Sequence, residues 1–519
     1  MNVNVLIPLV VTIPLLGAGI TLALGRRRRQ QILVSVASLT AVAVISAILL
    51  VLIDRDGTAV VDVGGWAPPW GIVLVVDRLS AIMLLISALM LLGVLIFAVG
   101  QGIIDGDRET PVSIFHPTYL VLAAGLFNAF VAGDLFNMYV GFEMLLSASY
   151  VLLTLGGTGA RIRVGITYIV VSLVSSLLFL AAIALLYGAT GTVNIALLAE
   201  RIPALPADVQ LILNVMLLLA FCVKAAVFPL SFWLPDSYPT APAPVTAVFA
   251  GLLTKVGIYA IIRTQTLLFP DSALTVPLMV AAFLTMLIGI LGALAQADIK
   301  RLLSFTLVSH IGYMIFGIAL GSQLGMAATI YYVVHHITVQ TGLFLVAGLV
   351  ERVGGTTSLS RLGGMLKAAP FVAILFFVGA MNLGGIPPFS GFLGKVALFQ
   401  AGVESGGWLN YLLIAAGAAT SLLTLYALAR AWNMAFWRSS AEAEVRSSPE
   451  SMKEDPQDEG TVLTKTVSPL MTGATTAMLA LTLALTIFAG PLFDLASRAA
   501  ADIEHPATYI DAVFPDGTP

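Results

Sequence analysis

Charged side chains are scarce in this chain. Of its 519 residues, 10% are charged and 59% are hydrophobic, and the mean hydropathy is +1.00. A soluble domain carries about 25% charged residues, so most of this surface does not face water. The sequence contains neither a basic patch typical of nucleic-acid binding nor a phosphate-binding P-loop, and its formal net charge of −3 indicates no particular partner.

Cysteine is nearly absent as well. The single residue Cys222 excludes an intrachain disulfide and a thiolate cluster, so we expect no iron–sulfur cluster and no structural zinc. We expect no other cofactor either, because the sequence shows no metal-ligand spacing. The first apolar run is followed, not preceded, by four arginines at 26–29. A secretory signal has the opposite order, so residues 4–24 are expected to remain as the first helix.

Long apolar stretches account for most of the chain. A membrane-crossing helix needs about 20 mostly apolar residues, and its backbone groups must be satisfied within the segment. The sequence therefore predicts an all-α integral membrane protein with about 14 transmembrane helices. The predicted helices span residues 4–24, 31–53, 79–100, 114–132, 135–155, 164–188, 209–233, 242–266, 274–295, 302–320, 325–350, 370–400, 408–437 and 469–495.

Two of these stretches contain helix breakers. The seventh carries Pro229, and the twelfth carries Gly384, Gly385, Pro387 and Pro388. Proline removes a backbone donor and clashes with the preceding turn. In soluble proteins this usually marks only a kink, whereas in transporters broken helices at corresponding places of two halves point to the ion site. We therefore predict two interrupted helices within an inverted five-helix repeat, formed by helices four to eight and nine to thirteen.

The charge distribution predicts the orientation and the domain organisation. Basic residues collect in the loops on one side, which the positive-inside rule assigns to the cytoplasm, so both termini are expected outside. We interpret the four arginines at 26–29 as a topology anchor rather than a nucleic-acid or lipid patch. The predicted regions are the first three helices (1–110), the first half (111–270), the second half (271–437), a flexible acidic cytoplasmic loop (438–468), and the last helix with an outer tail (469–519).

Four charges lie alone within apolar stretches: Glu143, Lys224, Lys255 and Lys395. A charge near the bilayer centre costs roughly 3 kcal/mol or more on insertion scales. Four such charges predict a relay that moves protons or ions. Burial opposes the charge on Glu143 and Lys224 while each favours the charge of the other, so this pair is suited to exchange protons. The alternative is a static ion pair that only fixes packing, but Lys255 and Lys395 bring no acid with them.

Histidines in the eleventh stretch extend this prediction. His335 and His336 are adjacent, so they point about 100° apart on a helix and only one lines a given path. His336 shares a face with Gln340, and histidine titrates near neutral pH, so we predict His336 as the relay residue. A hydrogen-bonded core histidine is the alternative for either residue. His310 is also within an apolar stretch but is a weaker candidate.

Other charges are expected at helix ends. Asp134 is predicted to cap the fifth helix, and Asp298 to anchor the start of the tenth. Arg263 and Arg430 are expected to extend toward water from the membrane ends. A short surface helix is expected within residues 189–208.

Several long motifs resemble one known family. The run from Trp233 to Tyr259, with Asp-Ser-Tyr-Pro-Thr-Ala-Pro-Ala-Pro after Pro235, resembles the antiporter-like subunits of respiratory complex I and of Mrp-type cation/proton antiporters. The runs from Gln296 to Ser304 and from Gly384 to Phe392 are similar to the same family. Within it, the chain is most similar to D subunits of Mrp-type multisubunit Na⁺/H⁺ antiporters.

The resemblance implies roles for the buried charges. The family's key acid corresponds to Glu143 and its key lysine to Lys224, and Lys255 and Lys395 match two further lysines. A related complex I subunit has glutamate where Lys395 stands. Several relatives have a lysine in helix eleven, where this chain has Gln340, so the central link must use water or His336.

The resemblance also implies partners and a location. The chain would be one subunit of a hetero-oligomeric Mrp complex in the bacterial cytoplasmic membrane, moving protons coupled to Na⁺, without a quinone or flavin site. The alternative is a proton-pumping subunit of an NADH:quinone oxidoreductase or a membrane-bound hydrogenase. A passive membrane scaffold is a third interpretation, and a membrane enzyme is not indicated because no nucleophile with a base and no metal-ligand spacing is present.

Overall fold

The computed structural model describes residues 3–102, 113–155, 159–270, 273–446 and 467–517, and these residues form a helical bundle. The first helices are α1 (Val3–Ala23), α2 (Arg28–Asp56), α3 (Arg78–Gln101), α4 (Phe115–Val131), α5 (Leu135–Thr154), α6 (Gly159–Thr190), α7 (Ile195–Arg201), α8 (Ala207–Ala225), α9 (Leu234–Ser237), α10 (Ala243–Val248) and α11 (Thr254–Arg263). The remaining helices are α12 (Thr275–Leu294), α13 (Ile299–Ala319), α14 (Gln323–Gly354), α15 (Met365–Ala368), α16 (Pro370–Gly384), α17 (Ser390–Ser405), α18 (Trp408–Trp432), α19 (Ser440–Arg446), α20 (Pro469–Ile487), α21 (Ala489–Glu504) and α22 (Pro506–Val513).

The predicted membrane crossings are confirmed in the described residues. Twelve helical segments are long and apolar enough to cross a membrane, and one of them, Ala243–Leu268, joins α10 and α11 through a π-helical segment. Phe115–Val131 and Pro370–Gly384 are two shorter apolar helices. Together with the twelve longer segments they agree with the number of about 14 that the sequence predicts.

The centre of the bundle consists of three crossings. In Ala243–Leu268 and α14, 100% of the most apolar 18-residue stretch is buried, and in α13 the buried share is 94%. The same share is only 39% in α1, α2 and α6, so these helices form part of the periphery. Lys255 and the intramembrane histidines are on the central crossings, and they therefore lie in the protein interior rather than against lipid.

Both predicted breaks are present. α8 ends at Ala225, and the chain turns through Pro229 before α9. α16 ends at Gly384, and Gly385 adopts a left-handed conformation with φ 80°. That conformation favours glycine because it lacks Cβ, so Gly385 stops the helix and the chain re-enters a helix at Ser390.

Several elements differ from the sequence-based expectations. Two four-residue strands, β1 (Ala59–Asp62) and β2 (Val73–Val76), pair antiparallel, with Ala59 opposite Val76. The last predicted helix, 469–495, ends at Ile487, and a separate helix, α21, follows. Within the predicted flexible loop 438–468, the start forms α19, and residues 447–466 lie outside the described residues.

The expected short helix within 189–208 is confirmed as α7.

Helix ends explain where the peripheral charges lie. Asp134 and Asp298 cap α5 and α13 as predicted, since each accepts a hydrogen bond from a backbone N–H three residues later. The prediction that Arg263 extends to water is wrong, since its side chain is buried, whereas Arg430 is half-buried and keeps part of its surface exposed. Arg430 donates to the carbonyls of Leu294 and Gln296, because the last carbonyls of α12 lack helical partners. Arg263 instead pairs with a buried carboxylate, that of Asp77.

Close packing at Gly257 gives a prediction about stability. A Cβ at Gly257 would lie 2.7 Å from the backbone nitrogen of Ala225, at the end of α8. Gly257→Ala should therefore separate α11 from α8 and lower the free energy of unfolding by about 1–3 kcal/mol. Gly188→Ala is the matched control in α6, because nothing lies within 4 Å of its added Cβ. Thermal unfolding of both purified variants in detergent measures the difference, and equal midpoints would contradict this packing.

Candidate functional site

The three lone lysines are all buried inside the bundle. The exposed fraction is 8% for Lys224, 0% for Lys255 and 2% for Lys395. Lys224 lies in the last turn of α8, Lys255 is the second residue of α11, and Lys395 lies in α17. Glu143, in the middle of α5, is partly buried. Each lysine is therefore removed from water and needs hydrogen-bond acceptors from the protein.

Lys224 is bound by helix α6. Its Nζ donates to Ser176 Oγ at 2.9 Å and to the carbonyl of Ser172 at 3.3 Å. Its ammonium also lies 5.9 Å from the ring centroid of Phe142, the neighbour of Glu143 on α5. All three contacts are with groups that carry no net charge.

The predicted Glu143–Lys224 pair is not an ion pair. Among the residues that the structure describes, no nitrogen–oxygen distance of 4.0 Å or less joins these two side chains. Phe142, the residue directly before Glu143, has its ring centroid 5.9 Å from the Lys224 ammonium, and Glu143 Oε1 is buried without a hydrogen-bond partner. Glu143 and Lys224 therefore belong to neighbouring parts of the bundle but are not locked together by contact.

Lys395 is bound at the break of the twelfth crossing. Its Nζ donates to the carbonyls of Leu383 at 3.1 Å and Gly384 at 3.2 Å, and to Ser421 Oγ at 2.9 Å. The last carbonyls of a helix have no helical partner, and the C-terminal end of a helix favours a cation. The interruption of α16 therefore creates the acceptors that bind this lysine.

The two breaks are more similar in space than in sequence. Lys224 precedes its proline whereas Lys395 follows it, which argues against a strict repeat in the sequence. In the fold, Lys224 lies in the last turn of α8, and Lys395 reaches back from α17 to the last turn of α16. Both lysines are thus associated with the C-terminal end of a helix that precedes a break, but the Lys395 ammonium binds the carbonyls of that end whereas the Lys224 ammonium binds α6.

Lys255 has one protein acceptor. Its Nζ donates to the carbonyl of Ala250 at 2.8 Å. Ala250 belongs to the π-helical segment Phe249–Leu253, which widens the helix directly before Lys255. In the described part of the chain, no carboxylate pairs with Lys255.

A cluster of aromatic rings begins beside Lys395. The ring centroid of Tyr313 lies 5.4 Å from the Lys395 ammonium and 5.6 Å from the ring centroid of His310. The ring centroids of His310 and His336 are 5.3 Å apart, and His310 Nδ1 is hydrogen-bonded to the hydroxyl of Tyr332 at 2.8 Å. The cluster therefore extends from Lys395 to His336 on the central helix α14.

The adjacent histidines point in different directions, as the helical spacing predicted. His335 Nδ1 is hydrogen-bonded to Ser390 Oγ at 3.0 Å, at the start of α17. Neither ring nitrogen of His336 has a hydrogen-bond partner among the described residues. His335 thus faces the broken crossing, and His336 faces His310.

Further buried polar atoms lie on the central crossings. Gln340 donates to the carbonyl of Leu303 at 2.7 Å, while Gln340 Oε1 and the hydroxyls of Thr341 and Thr254 have no partner in the described chain. A Cβ added at Gly251 would collide with Thr341 Oγ1, so Thr341 contacts the π-helical segment before Lys255. Buried polar atoms of this kind are usually bonded to ordered water.

The sequence-based prediction missed part of this cluster. It ranked His310 low and did not include Tyr332 or Tyr313, yet the Lys395 ammonium lies 5.4 Å from the ring centroid of Tyr313. Helical spacing provided a signal, because Tyr332 lies four residues before His336 and Tyr313 three residues after His310. The described residues contain no group of three His, Cys, Asp or Glu side chains that could hold a metal ion.

Comparison with known proteins identifies the family. The family described as NADH:quinone oxidoreductase/Mrp antiporter, TM, matches residues 132–424, which is more than half of the chain. The chain belongs to this family. This match confirms the family resemblance predicted from the motifs. The matched region contains Glu143, the three lone lysines and the histidine cluster.

Individual relatives cover almost the whole chain. The D subunit of the Na⁺/H⁺ antiporter of Alkalihalophilus pseudofirmus is 38% identical over 514 residues, which are 98% of this chain and 99% of the relative. A chain of the Mrp complex from Dietzia sp. DQ12-45-1b has a TM-score of 0.88 and 32% identity, covering 99% of this chain and 100% of that one. A chain of respiratory complex I from Thermus thermophilus has a TM-score of 0.78 and 25% identity, covering 96% and 100%.

Proposed function

We propose that this chain is the proton-translocating D subunit of an Mrp-type Na⁺/H⁺ antiporter. Protons would move along the buried row formed by Glu143, Lys224, Lys255, His336 and Lys395. One observation carries the proposal: each of the three lysines is buried and bonded to neutral acceptors rather than to a carboxylate.

Neutral acceptors favour proton exchange for a physical reason. Burial disfavours the ammonium, whereas hydrogen bonds from it to carbonyl and hydroxyl oxygens favour it. A carboxylate in contact would bind the charge permanently, as in static buried pairs. Without one, a small change in the local field is enough to take the proton from such a lysine or to return it.

Glu143 supplies such a field in the first half. Its carboxylate is close enough to act on Lys224 but forms no ion pair with it. When Glu143 is charged it favours the ammonium form of Lys224, and when it is neutral it does not. This coupling supports a modulating role for Glu143.

The histidine cluster and water form the central link. Gln340 does not titrate, so a proton that leaves Lys255 needs another carrier to reach Lys395. His336 faces His310, and both histidines are within electrostatic reach of the two lysines. Water bonded to the unpartnered Thr254, Thr341 and Gln340 atoms would complete the path.

The partner subunits and the membrane of this chain are inferred from its relatives. A D subunit would assemble with the other subunits of an Mrp complex in the bacterial cytoplasmic membrane, as a transporter subunit and not an enzyme, with Na⁺ as the coupled ion. An even number of crossings puts both termini on one side, and the basic loops favour the outer side for them. The likeness to complex I favours one alternative, a proton-pumping subunit of an NADH:quinone oxidoreductase, and the subunit content of the purified native complex distinguishes the two.

The lysines provide the main test of the proposal. Lys224→Met, Lys255→Met and Lys395→Met retain most of the side-chain volume and remove the proton site, so each should reduce Na⁺-dependent proton transport at least tenfold in vesicles containing the whole complex. Lys367→Met is the matched control. Because Lys367 is exposed, the complex that contains this variant should transport normally. Normal transport by Lys395→Met would exclude the second half from the path.

Glu143 gives a graded test of the charge coupling. Glu143→Ala removes the field at Lys224 and should abolish antiport while the complex still assembles, whereas Glu143→Asp keeps the charge and should retain part of the activity. Glu404→Ala, which changes an exposed glutamate in α17, serves as the control. Wild-type transport by Glu143→Ala would refute the relay in the first half.

The two histidines test the central link. His336→Ala should impair transport strongly, because His336 faces His310 and the two lysines. His335→Ala should have a smaller effect, since His335 bonds Ser390 at the side of the path. Vesicle assays at matched expression decide between them, and an equal or larger loss with His335→Ala would assign the path to the other face of α14.

A further inference from the structure

A buried ion pair joins the C-terminal end of α11 to the N-terminal end of α3. Arg263 Nη2 lies 2.5 Å from Asp77 Oδ1, and the exposed fractions of the two side chains are 7% and 5%. Asp77 also caps α3, because its carboxylate accepts a hydrogen bond from the backbone N–H of Ser80 at 2.9 Å. None of the charges predicted for the relay takes part in this pair.

A complete hydrogen-bond network fixes the arginine. Arg263 donates to the Ser80 hydroxyl at 3.0 Å and to the Tyr259 hydroxyl at 3.1 Å. Tyr259 in turn donates to the carbonyl of Phe130 at 2.8 Å, and the ring of Tyr509 covers the guanidinium with its centroid 5.4 Å away. The positive charge therefore has a fixed position in a dry environment.

The carboxylate stays ionised in this environment. Burial alone would raise the pKa of Asp77, but the charge of Arg263 and the hydrogen bonds that it and Ser80 donate hold this pKa below its usual value. The pair is accordingly neutral in total, with one charge of each sign.

Helix geometry connects the pair to the relay. Lys255, Tyr259 and Arg263 follow at intervals of four residues within the regular helix Thr254–Arg263, so their side chains share one face. Eight residues correspond to about 12 Å along a helix axis. The fixed charge of Arg263 is therefore on the same face as Lys255, about two turns away.

We propose that Asp77 is a positioning residue for proton transfer: its carboxylate cancels the field of Arg263 at Lys255, so that Lys255 can accept a proton. The inference rests on the proposed role of Lys255 as a proton carrier. An uncancelled unit charge about 12 Å away, at an effective dielectric constant of about 20, changes proton binding about tenfold. This corresponds to about one pH unit.

Other titratable groups also act near Lys255 and must stay constant in a test. His310 on α13 and His336 on α14 are within electrostatic reach of Lys255. Lys224 is on α8, which packs against α11, and Tyr259 is on α11 itself. Substitutions at Asp77, Arg263 and Ser80 leave these four titratable groups unchanged.

Asp77→Asn tests the cancellation. Asparagine also caps helices, so the start of α3 is preserved while Arg263 loses its counter-charge. Because a positive charge disfavours a second one, the pH profile of Na⁺-dependent proton transport by the whole complex should move to lower pH by about one unit. The double variant Asp77→Asn with Arg263→Gln removes both charges, and its profile should return to that of the wild type.

The control separates charge from structure. Ser80→Ala removes a hydrogen bond of the network without changing any charge, so it should leave the pH profile in place even if the rate falls. A purely structural role of Asp77 would lower the rate of Asp77→Asn with no shift of its profile, and the double variant would then be no better. That result would overturn the inference.

Two further outcomes are decisive. If Asp77→Asn does not accumulate in the membrane, Arg263→Gln alone carries the test at alkaline pH, where the anionic Asp77 should move the profile to higher pH; an unshifted profile there overturns the inference. Lys255→Met separates this inference from the proposed function. Full transport by Lys255→Met would refute the relay itself. If Lys255→Met is inactive and the pH profile of Asp77→Asn is not shifted, only the role of Asp77 is refuted.

Discussion

The fold depends on the requirement that backbone polar groups inside a membrane find partners within the protein. A continuous helix meets this requirement alone, but a helix that stops exposes its last carbonyls. At the twelfth crossing those carbonyls belong to Leu383 and Gly384, and the ammonium of Lys395 is their partner. The same contact therefore satisfies the interrupted backbone and stabilises a buried cation, so that the break and the lysine depend on each other.

The distribution of ion pairs separates two kinds of charge in this protein. Several charges near the helix ends are paired with opposite charges, as in Lys300 with Glu351 at 2.7 Å and Arg301 with Asp236 at 2.8 Å, although Arg430 is bonded to neutral carbonyls. The three central lysines are bonded to neutral oxygens instead. A static structural role for the central charges would lead to the pairing found at the periphery. The contrast therefore favours the relay hypothesis over the passive scaffold that the sequence left open.

Local patterns in the sequence predicted much of this structure, and contacts between distant residues account for what they missed. Hydrophobic runs located the crossings, and Pro229 and Gly385 located the breaks. Arg263 was misplaced because its partner, Asp77, lies 186 residues earlier in the chain. His310 was undervalued because its neighbours Tyr332 and Thr424 are 22 and 114 residues away. The strands β1 and β2, with four residues each, are too short for periodicity to reveal them.

The centre of the bundle contains Gln340, an amide that does not titrate, where the proposed path needs a carrier. The amide of Gln340 is anchored on the carbonyl of Leu303, so it stabilises α14 against α13 and supplies no proton. The ring centroids of His310 and His336 lie 5.3 Å apart, so the two rings are direct neighbours. Both side chains are fully buried, and titratable groups that lie this close exchange protons as a coupled pair. The central link is therefore expected to work as one unit of two histidines and water, in place of a single titrating lysine.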